Sequence, residues 1–111
     1  MSIGVFYLKS ASDAKVHIRI GNLEKLTSNE AILIRNEVRD IIETGFTKIY
    51  IDAKDVKEAT LCGINEIIHT NFWLAGFQKT VVFIYRKNSL VEKWVDTTGL
   101  NRFVETAIIP A

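Results

Sequence analysis

The stretch that decides the fold covers residues 49–63 and reads IYIDAKDVKEATLCG. Its apolar beginning predicts a buried strand over residues 49–51, and a helix is expected to begin near Leu61 after a short connection. The first N–H groups of a helix lack partners within the helix and carry the positive end of its dipole. We therefore expect a regulatory site beside those N–H groups.

The composition predicts one soluble globular domain over residues 1–111. Apolar residues make up 48% of the chain, charged residues 24%, and the net charge is +1. A charge balance this even excludes a large electrostatic footprint for nucleic acid. The longest apolar runs fall far short of the ~20 residues of a membrane helix, so no membrane insertion is expected. With one cysteine and no secretory signal, a cytoplasmic location is expected.

The first half of the chain predicts two strands and a helix. Strands are expected near residues 5–8 and 15–20, joined by a hairpin-like connection at residues 10–13. Residues 27–30, TSNE, form a capping box that opens the helix, and Gly45 is expected to close it. The apolar stripe of this helix comprises Leu33, Ile34, Val38, Ile41 and Ile42.

The second half alternates helices and strands. A helix is expected from about residue 61 to about residue 77, ending near Gly76, and residues 81–85 predict a central strand buried on both faces. Asn88 and Ser89 cap a third helix that Gly99 closes, and residues 103–109 predict a last strand. The order is β-β-α-β-α-β-α-β, which predicts an α/β domain whose mixed sheet of about five strands packs against helices.

Three segments of the chain resemble the STAS family, the module of anti-sigma-factor antagonists and of the cytoplasmic tails of sulphate transporters. Residues 21–24, GNLE, stand where the family has a Gly-Glu-Leu-Asp-like turn. Residues 49–63 follow its strand, its Asp-containing turn at Asp52 and its Asp-Ser-Ser-Gly helix start. Residues 95–103, VDTTGLNRF, resemble its Leu-Thr-Gly-Leu-Asp-Arg-Phe-like helix ending. The resemblance implies a STAS-like fold and a protein partner.

The matched helix start departs from the family pattern at the residue that matters most. The family's phosphoacceptor is the first Ser of Asp-Ser-Ser-Gly, phosphorylated by a partner kinase that is also the anti-sigma factor. Leu61 occupies that position and has no hydroxyl. Thr60 replaces the acidic residue that precedes the phosphoacceptor in the family. Glu24, by contrast, keeps an acidic residue near the position of the Asp in the family's Gly-Glu-Leu-Asp-like turn. The helix that usually follows the last strand in the family is also expected to be missing. Either the domain is stable without the surface that this helix would cover, or a partner protein or a second copy of the chain covers it.

Two residues at the helix start have alternative interpretations. Thr60 is either a displaced phosphoacceptor or an N-cap, and the cap is favoured because Thr is common at that position. Cys62 is either a thiol activated by the helix dipole or an inert, buried small residue, and the second interpretation is favoured.

Enzyme and metal chemistry find little support in the sequence. His17 and His69 lie far apart, so no metal site is expected, and no cofactor motif is present. Glu58 and Glu66 are interpreted as solvated surface carboxylates rather than an acid–base pair. We therefore expect a protein that is not an enzyme.

The second helix is expected to have two faces. Ile64, Ile67, Ile68 and Ala75 form the stripe that packs on the sheet. Aromatic residues among small polar ones on the other face are typical of an interface centre, although the same aromatics could simply cover the rim of the sheet. That face comprises Asn65, His69, Phe72, Trp73 and Gly76.

The leading hypothesis is a bacterial regulatory module that binds a protein partner, such as an anti-sigma factor or kinase-like ATPase. The alternatives are a STAS subunit or scaffold of a membrane transporter complex and a domain that senses a small ligand or nucleotide at the helix N-terminus. A homodimer remains open. The expected partner-binding residues are Glu24, Asp55, Lys57, Glu58, Thr60, Leu61, Cys62, Asn65, His69, Phe72 and Trp73.

Overall fold

The computed structural model describes residues 4–9, 16–43 and 45–111, and the side chains from residue 18 onward within those ranges. The connection expected at residues 10–13 lies outside the described residues. The elements, in chain order, are β1 (Gly4–Lys9), β2 (Val16–Gly21), β3 (Lys25–Leu26), α1 (Ser28–Asp40), β4 (Phe46–Asp52), β5 (Glu58–Ala59), α2 (Leu61–Ala75), β6 (Thr80–Arg86), α3 (Leu90–Thr98), a 3-10 turn (Leu100–Arg102) and β7 (Glu105–Ile109).

Five strands form one mixed sheet in the order β1-β2-β4-β6-β7. β1 runs antiparallel to β2, and each further pair is parallel. The expected α/β architecture is therefore confirmed, including the position of β6 between two parallel neighbours. The structure adds a second, two-stranded parallel sheet of β3 and β5, which the sequence analysis did not predict.

The core lies between one face of the main sheet and helices α1 and α2. Alternation in β2 and β4 directs Ile18, Ile20, Ile49 and Ile51 to that face, where all are fully buried. They belong to one apolar cluster with residues of the two helices, namely Ile34, Val38, Ile64 and Ile67. This packing holds both helices against the sheet and therefore sets the position of their first turns relative to the sheet.

Two expectations about the helix stripes are wrong. Leu33 is exposed, and Ala31 takes its place on the buried face of α1 together with Ile34 and Val38. In α2, Ala75 is exposed, whereas Thr70 and Leu74 are buried. Both errors come from assigning a helix face by apolarity, whereas position along the helix decides burial: residues 31, 34 and 38, and residues 67, 70 and 74, follow each other at intervals of three or four.

Most of the predicted helix boundaries are confirmed. The N–H and the hydroxyl of Thr27 both donate to Glu30 Oε1, at 2.9 and 2.5 Å. α2 ends at Gly76, and Gly99 closes α3 in the left-handed conformation with φ +70°. Gly45 also has a positive φ, of +81°, but α1 ends earlier, at Asp40.

The last strand begins two residues later than expected, because Leu100–Arg102 form a 3-10 turn before it.

Candidate functional site

The turn after β4 is organised by Asp52, whose side chain is only 6% exposed. Arg19 donates to Asp52 Oδ2 through Nη2 at 2.8 Å and Nε at 3.2 Å. Lys54 donates to the same oxygen through Nζ at 2.6 Å, and its backbone N–H donates to Oδ1 at 3.1 Å. Burial alone would raise the pKa of Asp52, but the hydrogen bonds from Lys54 and Arg19 outweigh it and hold that pKa below its ordinary value. Asp52 therefore acts as an ionised anchor for the turn.

The next part of the turn is tied to the end of β6. Asp55 lies 3.8 Å from Lys54 Nζ and 3.9 Å from Arg86 Nη2. Arg86 also donates through Nε to the carbonyl of Lys54, at 3.4 Å. The expected binding residue Asp55 is thus exposed but held by two cations that sequence analysis had not selected.

The two-stranded sheet brings two of the expected binding segments together. β3 pairs with β5 in the register Lys25↔Glu58, and the two side chains form an ion pair of 3.4 Å. The N–H of Lys57 donates to the carbonyl of Glu24 at 2.8 Å. Glu24, Lys57 and Glu58 therefore lie on one exposed surface, as the hypothesis of a common interface requires.

Thr60 is the N-cap of α2, as expected. Its backbone is extended, with φ −124° and ψ 160°, and its Oγ1 accepts the N–H of Gly63 at 3.1 Å. Its own N–H donates to the carbonyl of Leu26 at 3.2 Å. Within the described part of the chain, the N–H groups of Leu61 and Cys62 meet no backbone or side-chain acceptor. The helix start therefore presents polar N–H groups at the surface.

The start of α2 rests directly on the chain segment between β3 and α1. A Cβ atom at Gly63 would lie 2.1 Å from the carbonyl oxygen of Leu26 and 2.9 Å from the carbonyl carbon of Thr27. Both neighbours are backbone atoms, so no change of side-chain rotamer could relieve the overlap. Only glycine permits this approach, which explains in physical terms why the helix start requires glycine at residue 63.

Leu61 and Cys62 point outward from this start. Leu61 is 46% exposed although it is a large apolar residue. Cys62 is exposed as well, so the interpretation of Cys62 as a buried small residue is wrong. The first turn of a helix that packs through its third and fourth residues leaves its first two residues in solvent, which periodicity alone did not reveal.

We call the surface formed by Glu24, Lys25, Lys57, Glu58, Thr60, Leu61 and Cys62 the helix-start surface. It combines one exposed leucine with exposed charged and hydroxyl side chains from β3, β5 and the residues beside them. An apolar centre inside a polar rim is the usual arrangement of a protein-binding patch. Lys25 was missed by sequence analysis, because its pairing with Glu58 is known only from the pairing of β3 with β5.

The remaining expected binding residues lie further along α2. Asn65 is half-buried, whereas His69, Phe72 and Trp73 are exposed. Twelve residues separate Leu61 from Trp73, which corresponds to about 18 Å along a helix. Phe72 packs on Phe103, with ring centroids 5.8 Å apart, so part of its role is to cover the end of the 3-10 turn. The expected binding residues of α2 are therefore spread along the helix from its first turn to its last.

The two carboxylates interpreted as surface groups are found in surface ion pairs. Glu58 pairs with Lys25, and Glu66 lies 3.0 Å from Arg35 Nη1. His69 Nδ1 lies 4.0 Å from the same glutamate. Each of the two glutamates therefore has a cationic partner at the surface.

The fold that these elements define is STAS-like, as the residues of the three matched segments had suggested. A scan of the sequence against protein-family models finds no match, and a search of curated proteins finds none either. Among solved structures the fold has clear counterparts.

None of the helices in the described residues is long and apolar enough to cross a membrane.

Three solved structures illustrate the likeness. A Thermotoga maritima protein assigned to the anti-sigma factor antagonists shares 16% identity and a TM-score of 0.72, over 95% of this chain and 86% of that one. The anti-sigma factor antagonist SpoIIAA in its unphosphorylated form shares 15% identity and a TM-score of 0.67, over 96% and 88%. The Bacillus cell fate determinant SpoIIAA in its phosphorylated form shares 14% identity and a TM-score of 0.59, over 96% and 91%. At such identities the likeness establishes the fold.

Proposed function

We propose that this chain is a regulatory protein–protein interaction module that binds a partner protein through the helix-start surface and performs no catalysis. The observation that carries the proposal is the exposure of Leu61 at the first position of α2, three residues after Glu58, which pairs with Lys25. A partner that covers Leu61 would remove apolar surface from water, while the rim residues would supply orientation. The shared fold with an anti-sigma factor antagonist supports a partner of the anti-sigma or kinase-like ATPase type.

The proposal includes a different mode of regulation from that of a phosphorylated antagonist. Leu61 stands at the position that resembles the phosphoacceptor and offers no oxygen for phosphoryl transfer. The hydroxyl of Thr60 accepts the N–H of Gly63 as a helix cap. We expect this surface to bind its partner without a phosphate switch, so that binding is governed by the amounts of the two proteins.

Binding to purified kinase-like ATPases encoded in the same genome tests the proposal, with affinity measured by calorimetry. Leu61→Asp is the diagnostic variant and Leu90→Asp its matched control. Both leucines are the first residue of a helix behind a hydroxyl N-cap, and they are 46% and 40% exposed. Since aspartate is equally acceptable at the start of either helix, the two variants differ mainly in location.

We expect Leu61→Asp to weaken binding at least about tenfold, because truncating a central apolar contact and burying a charge each cost on the order of 1 kcal/mol or more. Leu90→Asp should change the affinity by less than about threefold. Equal effects of the two variants would contradict a site centred on Leu61. Stable binding to a transporter subunit in place of the ATPases would favour the scaffold alternative.

Phosphate incorporation tests the mode of regulation. The wild-type chain and Leu61→Ser are incubated with the partner kinase and ATP, and both are analysed by mass spectrometry. We expect stoichiometric label only in Leu61→Ser, in which the variant residue supplies the missing hydroxyl. Stoichiometric label within residues 60–63 of the wild-type chain would refute the absence of a phosphate switch and would identify Thr60 as the acceptor.

A further inference from the structure

A groove of about 500 Å³ lies between α1 and α2, on the side of the Arg35–Glu66 bridge that is away from the helix-start surface. Its walls are formed by consecutive turns of the two helices. The lining residues are Arg35, Asn36, Arg39, His69, Thr70 and Trp73. The volume falls within the range of small-molecule sites, and the proposed partner surface uses none of these six side chains.

The groove carries an excess of positive charge. Arg35 is neutralised by Glu66, at 3.0 Å, but Arg39 donates to the uncharged Oδ1 of Asn36. In the described part of the chain no carboxylate lies within ion-pair distance of Arg39. A guanidinium group without a carboxylate partner at the wall of a concave site favours a carboxylate or a phosphate, which it can bind through two parallel N–H donors.

The opposite wall provides an aromatic surface. Trp73 remains 39% exposed, and Phe77 packs edge-on against it with ring centroids 5.3 Å apart and an interplanar angle of 69°. Phe77 therefore holds the indole from one side while part of the ring surface stays open. Such a surface binds a flat ring by stacking.

We propose that this groove binds a small molecule that carries a planar ring and one anionic group, either a carboxylate or a phosphate. Arg39 binds the anionic group, the exposed indole of Trp73 stacks on the ring, and His69 and Asn36 provide further polar contacts. Each half of the ligand alone would use only one of the two walls. A polynucleotide fits the observations less well, because the chain has a net charge of only +1.

Four probes separate the two contacts. AMP combines a planar ring with a phosphate, and naphthoate combines a planar ring with a carboxylate. Adenosine has the ring alone, and inorganic phosphate has the anionic group alone. Binding is followed through the indole N–H resonances of the two tryptophans, which a Trp94→Phe variant assigns. We expect at least one ring anion to shift the Trp73 resonance saturably and to leave the Trp94 resonance in place. Adenosine and inorganic phosphate should bind at least about tenfold more weakly. The better of the two ring anions identifies the anionic group.

Arg39→Gln is the diagnostic variant, and Arg102→Gln, an exposed arginine in the 3-10 turn outside the groove, is its control. Arg39→Gln should weaken binding of the ring anion at least about tenfold, because a charge-assisted pair of hydrogen bonds is lost. Arg102→Gln should leave it unchanged, and unaltered thermal unfolding of both variants excludes misfolding. Absence of a saturable Trp73 shift with either ring anion, or equal weakening by both variants, would overturn the proposal. Neither result would touch the helix-start surface, whose test uses different residues and a protein partner.

Discussion

Replacing Gly63 by alanine probes the contact that positions the start of α2. The added methyl group would lie 2.1 Å from the carbonyl oxygen of Leu26, 2.7 Å from its carbonyl carbon and 2.9 Å from the carbonyl carbon of Thr27. Since favourable contacts between heavy atoms begin at about 3.5 Å, the helix would have to move by more than about 1 Å. The neighbours are backbone atoms, so no side-chain rotation can relieve the overlap.

The expected loss of stability follows from this geometry. Overpacking of a well-packed interior typically costs about 1–3 kcal/mol, and a clash with rigid backbone belongs at the upper end, about 3 kcal/mol. For a domain of this size, about 4 °C of melting temperature corresponds to 1 kcal/mol, so the transition should fall by about 12 °C. Urea unfolding followed by circular dichroism measures the same loss as a lower midpoint at unchanged slope.

Gly76→Ala is the matched control, because Gly76 is also a glycine at an end of α2. Its φ is −64°, and an added Cβ would meet only the carbonyl oxygen of Trp73, at 3.4 Å. This variant should be neutral or stabilised by about 0.5 kcal/mol. If Gly63→Ala unfolded within about 0.5 kcal/mol of the wild-type protein, the close approach of α2 to Leu26–Thr27 would be refuted.

Three further predictions follow from the site. Thr60→Ala should lower the free energy of unfolding by about 1 kcal/mol, whereas Thr60→Ser should retain most of it, and urea titrations that show no difference between the two would contradict the cap. Asp52→Asn should cost about 2 kcal/mol near neutral pH, because Arg19 and Lys54 lose their ionised acceptor. Since the pKa of Asp52 is lowered in the folded state, its stabilisation is complete above the unfolded-state pKa of about 4 and is lost as the pH falls through the folded value. Acid unfolding of Asp52→Asn should therefore depend less on pH, and an unchanged profile would show that Asp52 is not the anchor. Cys62 should react with a thiol reagent in the folded protein without denaturant, at a rate close to that of the unfolded chain, and a strongly retarded reaction would contradict its exposure.

The sequence predicted those features of the fold that depend on local chemistry. The capping box at Thr27, the N-cap at Thr60 and the left-handed Gly99 each follow from one side chain and its own backbone, and all three are found. The strand expected near residues 15–20 is found as β2, and its apolar residues Ile18 and Ile20 are fully buried. Such signals need no knowledge of neighbouring elements.

The features that escaped prediction depend on contacts between segments distant in sequence. The pairing of Lys25–Leu26 with Glu58–Ala59 gives no periodic signal, because two residues are too few to establish alternation. The exposure of Cys62 depends on the direction in which α2 leaves the sheet. The groove between α1 and α2 is likewise invisible in either helix alone, since Arg39 and Trp73 come together only through packing.

Protection of Cys62 by a bound partner tests the central claim most directly. Cys62 is the single cysteine of the chain and lies beside Leu61 on the helix-start surface, so its alkylation reports on this surface alone. The rate is measured on the free protein and on its complex with the kinase-like ATPase that binds it, with Leu61→Asp as the non-binding reference. We expect the complex to slow alkylation at least about tenfold, as contact with a partner excludes reagent and water from the centre of an interface. Alkylation at the free rate in a saturated complex would show that the partner binds elsewhere on the molecule.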